Sequence, residues 1–323
     1  MKLIRLGRSW LNVSRIAFGT WQLGGDWGAT DEDAAIRAIR HALDQGINLF
    51  DSAHGYGFGA SERLLARALE GYPRDDVVIA TKGGLRSLGG ASVERDASPT
   101  SIRAWVDDSL RALDTEYVDL LQVHWPDPHT PFAETAGALA DLVAAGKIRH
   151  VGVSNFSAEQ MEEFSMTLPV ETLQPPYHLF HRDIEAEVLP YTRAHDIGVL
   201  VYGPLAHGLL SGHLTADARF PEGDWRSHSP DFTGDAFARN LRVVAALQQL
   251  ANNELGVPLS RLAVAWTLAN PDVDVAIIGT RDSRHVDDAI AAADLEIGED
   301  VLQRIDEITS DAVRIAGPRP EAM

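Results

Sequence analysis

Eight short apolar segments, each handing over to a stretch of helical periodicity, constrain this chain more than any other feature. They lie at 15–20, 47–50, 77–81, 117–123, 148–153, 171–173, 198–201 and 275–278. Helical patterns occupy 31–43, 61–69, 100–113, 131–145, a stretch ending near 166, 184–194, 236–252, 259–269 and 282–291. Such alternation predicts an α/β fold of the (β/α)8 TIM-barrel kind. A doubly wound sheet is the competing architecture, but no strand is followed by the G-x-G-x-x-G of a dinucleotide-binding turn. A β-hairpin with arms at 2–6 and 13–16 precedes the first strand, and extra helices lie near the C-terminus. No linker divides the chain, so 1–323 reads as one domain, with 311–323, rich in Gly, Pro and charge, as a loosely held tail.

Composition narrows the function. A formal net charge of −19 argues against nucleic acid and anionic membranes as partners. There is no cysteine, which removes disulfides, thiolate metal sites and a cysteine nucleophile. The first twenty residues lack a long apolar core, and no apolar run reaches membrane-spanning length. A cytoplasmic protein acting on a small molecule is the expectation.

In a barrel, residues at the carboxyl ends of strands converge on one mouth. Here they are Trp21, Asp51, Lys82, His124, Ser154, Asn155, Gln174, Tyr202, Gly279, Thr280 and Arg281. Tyr56 joins them from a Gly-rich loop with Gly55, Gly57 and Gly59 around it, and Ser61 reads as the N-cap of the following helix. Lys82 ends an apolar strand. It either snorkels to solvent or, paired with Asp51, stays charged beside the phenol. A charged lysine there is expected to lower the pKa of Tyr56 from its usual value of about 10, making the phenol a general acid near neutral pH. His124 either caps the rim or orients a carbonyl as a neutral imidazole. Tyr202 either packs or stacks on a flat heterocycle. Ser154, Asn155 and Gln174 suit a carboxamide. Arg281, near a helix N-terminus after the last strand, either meets a phosphate or lies on the surface. The histidines show no chelating spacing, so no metal is expected.

The chain is identified by these residues as resembling the aldo-keto reductase superfamily. The motifs are GTWQLGG at 19–25, LFDSAHGYGFGASE at 49–62, ATKGG at 80–84, LLQVHWPD at 120–127, GKIRHVGVSNF at 146–156, VYGPLAHGLLSG at 201–212 and IIGTR at 277–281. The loop after Tyr202 and the GFGASE stretch look more like the bacterial and potassium-channel-β-subunit branch. The resemblance implies NADPH, with NADH as the alternative, and a tetrad of Tyr56 as proton donor, Lys82, Asp51 and His124. It assigns the cofactor to Gly19, Thr20, Trp21, Asp51, Ser154, Asn155, Gln174 and Tyr202, then Gly203, Pro204, Leu205 and Gly208 along the pyrophosphate. Ile278, Gly279, Thr280, Arg281, His285 and Asp288 would complete the adenosine end, with Arg281 on the 2′-phosphate. The chain departs from the family pattern at His213, where relatives often have Lys, and at Ala289, where they often have Asn; Arg219 is a candidate substitute for the former. Trp21, Phe58, Trp125 and Trp225 are expected to line the substrate pocket, with Arg86 and Arg226 as candidate anion contacts. The expected activity is reduction of an aldehyde or ketone. The alternatives are a cofactor-binding regulatory or sensor subunit with slow or vestigial chemistry and, more remotely, a metal-free aldolase or isomerase using Lys82 as a Schiff base.

Overall fold

The computed structural model describes residues 1–89, 92–221 and 223–319. An antiparallel hairpin, β1 (Leu3–Leu6) and β2 (Leu11–Ser14), leads into β3 (Ile16–Gly19). Then come α1 (Glu32–Asp44), β4 (Leu49–Asp51), α2 (Ala60–Leu69) and β5 (Val78–Gly83). A second hairpin follows, β6 (Leu85–Gly89) and β7 (Ser92–Arg95), and then α3 (Pro99–Ala112). The middle of the chain runs β8 (Val118–Val123), α4 (Phe132–Ala144), β9 (Ile148–Ser154), α5 (Ala158–Ser165), β10 (Thr172–Gln174), α6 (Val188–Ala194) and β11 (Gly198–Tyr202). It ends with α7 (Gly234–Leu250), α8 (Leu259–Ala269), β12 (Val275–Gly279), α9 (Ser283–Ala293) and α10 (Glu299–Thr309). The strands close into a parallel barrel in the order β3, β4, β5, β8, β9, β10, β11, β12 and back to β3. This is the expected (β/α)8 architecture.

The inner face of the barrel is filled below by Ala17, Leu49, Ala80, Leu120, Leu200 and Val275, which the first hairpin plugs with Leu6 and Val13. Helices cover the outer face; α1, capped by Asp31 accepting from the Ala34 N–H at 3.0 Å, buries Ala35, Ala38, Ile39 and Ala42. The barrel interior leaves no room at Gly152, where a Cβ would sit 2.1 Å from Thr172 Oγ1 and 3.1 Å from Gln122 Cγ. We therefore expect Gly152→Ala to cost about 1–3 kcal/mol in urea unfolding, the usual range for overpacking. An unchanged midpoint would mean that β9 and β10 separate more easily than this packing implies.

Three expectations change. Ser61 is not an N-cap: Gly59 holds that position, and the buried Ser61 hydroxyl donates to Thr20 Oγ1 at 2.6 Å. The second hairpin sits where the sequence shows only loop, because β6 exposes most of its side chains and carries no apolar alternation. The segment 311–319 is tied down rather than loose. Asn240 brackets Val313, Ile315 donates its N–H to Phe180 O at 3.1 Å, and the Ile315 side chain is fully buried. Residues 320–323 of the expected tail lie outside the described residues. Among the described residues no helix is long and apolar enough to cross a membrane.

Candidate active site

All eight barrel strands deliver a residue to the mouth. Gly19, Asp51, Ser154, Gln174, Tyr202 and Gly279 end β3, β4, β9, β10, β11 and β12; Lys82 is the penultimate residue of β5, and His124 immediately follows β8. A cavity of about 750 Å3 opens there. Tyr56 reaches it from the β4–α2 loop, whose next three residues, Gly57, Phe58 and Gly59, all have positive φ. Gly57 and Gly24 let two backbones touch: a Cβ on Gly57 would lie 2.5 Å from Gly24 O, and one on Gly24 would lie 2.8 Å from the Tyr56 carbonyl carbon. That contact seats the phenol.

At the centre Lys82, only 1 % exposed, donates from Nζ to Asp51 Oδ2 at 2.7 Å, to Ser52 O at 2.8 Å and to Tyr56 Oη at 3.3 Å. An ammonium has three donors, and all three are used. Burial pulls its pKa down, and the Asp51 carboxylate pulls it back up. An amine spent in this way is not the free nucleophile that a Schiff base requires. Gln174 Nε2 donates to the other Asp51 oxygen at 2.8 Å. Below this lies a carboxylate that the sequence reading missed. Glu62 is fully buried, accepts from Thr81 Oγ1 at 2.6 Å, and has its pKa raised by desolvation. Only its place one α-helical turn after a Gly-rich loop, beside the strand that carries Lys82, signals it.

The expected lowering of the Tyr56 pKa is overturned. Burial, then the carboxylates of Asp51 and Asp26, push it well above the ordinary phenol value, and Lys82 does not offset them. Tyr56 therefore keeps its proton throughout the neutral range. His124 is also buried, and desolvation followed by the charge of Lys82 holds its pKa well below the usual imidazole range. It is neutral, its ring lies 5.7 Å from that of Tyr56 in an edge-on arrangement, and its Nδ1 has no partner. With its one proton on Nε2, it can donate to an oxygen held beside Tyr56.

The remaining expectations divide. Trp21, Phe58, Trp125, Ser154, Asn155, Gln174, Tyr202, Gly203, Pro204, Leu205, Gly208, Ile278, Gly279, Thr280, Arg281 and His285 line the cavity. Thr20 does not; its hydroxyl pins the end of β4 through Ser52 Oγ at 2.9 Å. Asp288 faces away, accepting from Ser260 Oγ at 2.7 Å and Arg261 Nε at 2.9 Å. Arg219 is exposed and donates to the nearby backbone. Trp225 stands behind the wall, stacked on Trp21 at 6.2 Å. Asn155 is a brace rather than a free amide, since it accepts from Tyr202 Oη at 2.9 Å and donates to His124 O and Ser154 Oγ at 3.0 Å. Its φ of +64° marks a strained backbone held by those bonds. Arg86 is paired with Glu94 and Arg226 with Asp224, so each guanidinium already has a carboxylate partner. Leu85, Val93, Asp26 and Trp27 line the cavity although the sequence did not point to them there.

Comparison with known proteins supplies the family. The family model described as "Aldo/keto reductase family" matches residues 15–310. The chain is 44% identical over 283 residues to the aldo-keto reductase YhdN of Bacillus subtilis, covering 87% of this chain and 85% of that one. It is 34% identical to an NADH-specific methylglyoxal reductase of Escherichia coli, covering 93% and 95%. The structure of a glycerol dehydrogenase from Gluconobacter oxydans superposes with a TM-score of 0.87 at 40% identity, covering 98% and 97% of the two chains. The chain belongs to the aldo/keto reductase family and is an NAD(P)H-dependent oxidoreductase.

Proposed function

We propose that this protein reduces the carbonyl of an aldehyde or ketone to an alcohol, with NADPH as the hydride source and Tyr56 as the proton donor. The observation that carries this reading is the line Tyr56 Oη–Lys82 Nζ–Asp51 Oδ2, with spacings of 3.3 and 2.7 Å, at the wall of the cavity.

The donor set fits a nicotinamide. Tyr202 offers a ring at the cavity, Gln174 has its amide oxygen without a partner among the described residues, and Ser154 Oγ is spent as a donor on Gln174 O but can still accept. When bound, the nicotinamide supplies hydride, and the chain supplies position and the proton. Tyr56 and His124 hold the carbonyl oxygen between their two N–H and O–H donors. As negative charge grows on that oxygen, Tyr56 passes its proton to it. Lys82 then stabilises the phenolate left behind, and Asp51, held by Gln174, keeps the ammonium charged. The high pKa of Tyr56 ensures that its proton is present at neutral pH.

The choice of NADPH rests on Arg281. It lies just before α9, lines the cavity, and spends three of its five donors on Gln22 O, Trp27 O and Ala29 O, which leaves Nε–H and one Nη1–H for an anion. The decisive experiment titrates the protein with NADPH and NADH by quenching of tryptophan fluorescence and follows with an aldehyde panel read at the nicotinamide absorbance. Tight binding with turnover is expected; tight binding without turnover on any carbonyl would transfer the site to a regulatory role. In the same assay Arg281→Ala should weaken NADPH about tenfold more than NADH, the scale of one charge-assisted contact. Equal losses would leave Arg281 as an anchor for the loop from Gln22 to Ala29 only.

A further inference from the structure

The charged groups lining the cavity are Asp26, Asp51, Asp282, Arg226 and Arg281, and of the three carboxylates only Asp26 lacks a cationic partner among the described residues. Asp51 is held by Lys82 and Gln174. Asp282 caps α9 and pairs with Arg284. Arg226 donates to both oxygens of Asp224 and to His207 O. Arg281 is bonded to three backbone carbonyls, just before α9. Asp26 lines the same cavity as Tyr56 and has no counterion among the described residues. Its Oδ2 accepts from Trp21 Nε1 at 3.0 Å, and its Oδ1 has no partner among the described residues. Trp21 in turn stacks on the Tyr56 ring at 6.3 Å, so Asp26 is one side chain removed from the proton donor. It is also fixed in place: its backbone oxygen accepts from the Trp225 N–H at 3.3 Å, which joins its loop to the loop that carries Arg226.

We propose that Asp26 is the specificity-determining carboxylate of this pocket, admitting uncharged, hydroxyl-bearing carbonyl compounds and excluding carboxylate-bearing ones. The proposal deepens the reductase reading and rests on it. A substrate carboxylate would be carried beside a like charge, inside aromatic walls that screen poorly, while Arg226 is already neutralised by Asp224 and Arg281 is tied to the loop from Gln22 to Ala29. A hydroxyl near the carbonyl would instead donate to Oδ1 in a charge-assisted bond. The aromatic neighbours Trp21 and Trp27 suit the carbon skeleton of such a compound.

Asp26→Asn tests this, because the amide oxygen still accepts from Trp21 while the charge is removed. kcat/KM is measured for glyceraldehyde, propanal and succinic semialdehyde. The wild-type protein is expected to prefer them in that order. In the variant the rate on succinic semialdehyde should rise about tenfold relative to propanal, and that on glyceraldehyde should fall relative to propanal, chiefly through KM. Ratios that stay within about twofold, or a wild-type preference for the anion, would overturn the proposal. If the wild-type protein reduces none of the three, the reductase reading fails and binding decides Asp26 separately. Tryptophan quenching in the presence of NADP+ then compares glycerate with glycerol. Glycerate bound about tenfold more tightly by the variant than by the wild type supports the role, and equal affinity overturns it.

Discussion

Tyr56→Phe is expected to lower kcat by about 10²–10⁴-fold, the usual worth of a positioned general acid, while leaving nucleotide affinity within about twofold. The ring survives the change, so the stacking on Trp21 and the edge-on contact with His124 persist. What disappears is the only hydroxyl among the described residues to which Lys82 donates. The test is steady-state turnover on an aldehyde together with a fluorescence titration of the nucleotide; full activity would remove Tyr56 from the mechanism. The pH profile of the wild-type protein provides a second check. Reduction needs Tyr56 protonated and His124 neutral. The first condition fails only well above the ordinary phenol pKa, and the second only well below the ordinary imidazole pKa. The kcat/KM for reduction should therefore stay flat across the neutral range, falling with alkali as Tyr56 loses its proton. A basic limb near neutrality would show that Lys82 dominates Tyr56 after all.

Lys82→Met should produce the largest loss of stability. The pair it breaks is buried on both sides, with the Lys82 and Asp51 side chains 1 % and 4 % exposed. Removing the ammonium leaves Asp51 with Gln174 Nε2–H as its side-chain donor, and stranded charges of this kind cost about 3–5 kcal/mol. Turnover should fall as well, because the phenolate formed at Tyr56 has lost its cation. The two effects separate in the double variant Asp51→Asn/Lys82→Met, where the stranded charge is gone. We expect it to regain most of the stability of the wild type and none of the activity. If activity returned with stability, the ammonium would be structural only.

Much of this was legible in the sequence, and the physical reason is local. A strand end is marked where an apolar run stops, and barrel topology brings all such ends to one mouth. Asp51, Lys82, His124, Ser154, Gln174 and Tyr202 could therefore be placed together without coordinates. The shift at Ser61 and the unseen β6–β7 hairpin are failures of the same local logic. A buried serine bonded to Thr20 looks like a capping serine in sequence, and a hairpin with most side chains in solvent carries no alternation to read. The segment 311–319 was misjudged because its composition is that of a tail, while Ile315 finds a fully buried site against elements more than a hundred residues earlier.

The sequence by itself determined the eightfold strand–helix order and the side chains that meet at the barrel mouth, because both follow from periodicity and from position along each strand. Only the tertiary structure decided how those side chains behave. The proton affinity of Tyr56 depends on its burial, on Asp51, and on Asp26, thirty residues away in the chain and one tryptophan away in space. Whether Arg226, Arg281 or Asn155 is free for a ligand depends on partners that no local pattern announces. Charge balance and hydrogen-bond availability are sums over neighbours in three dimensions, and the fold chooses the neighbours.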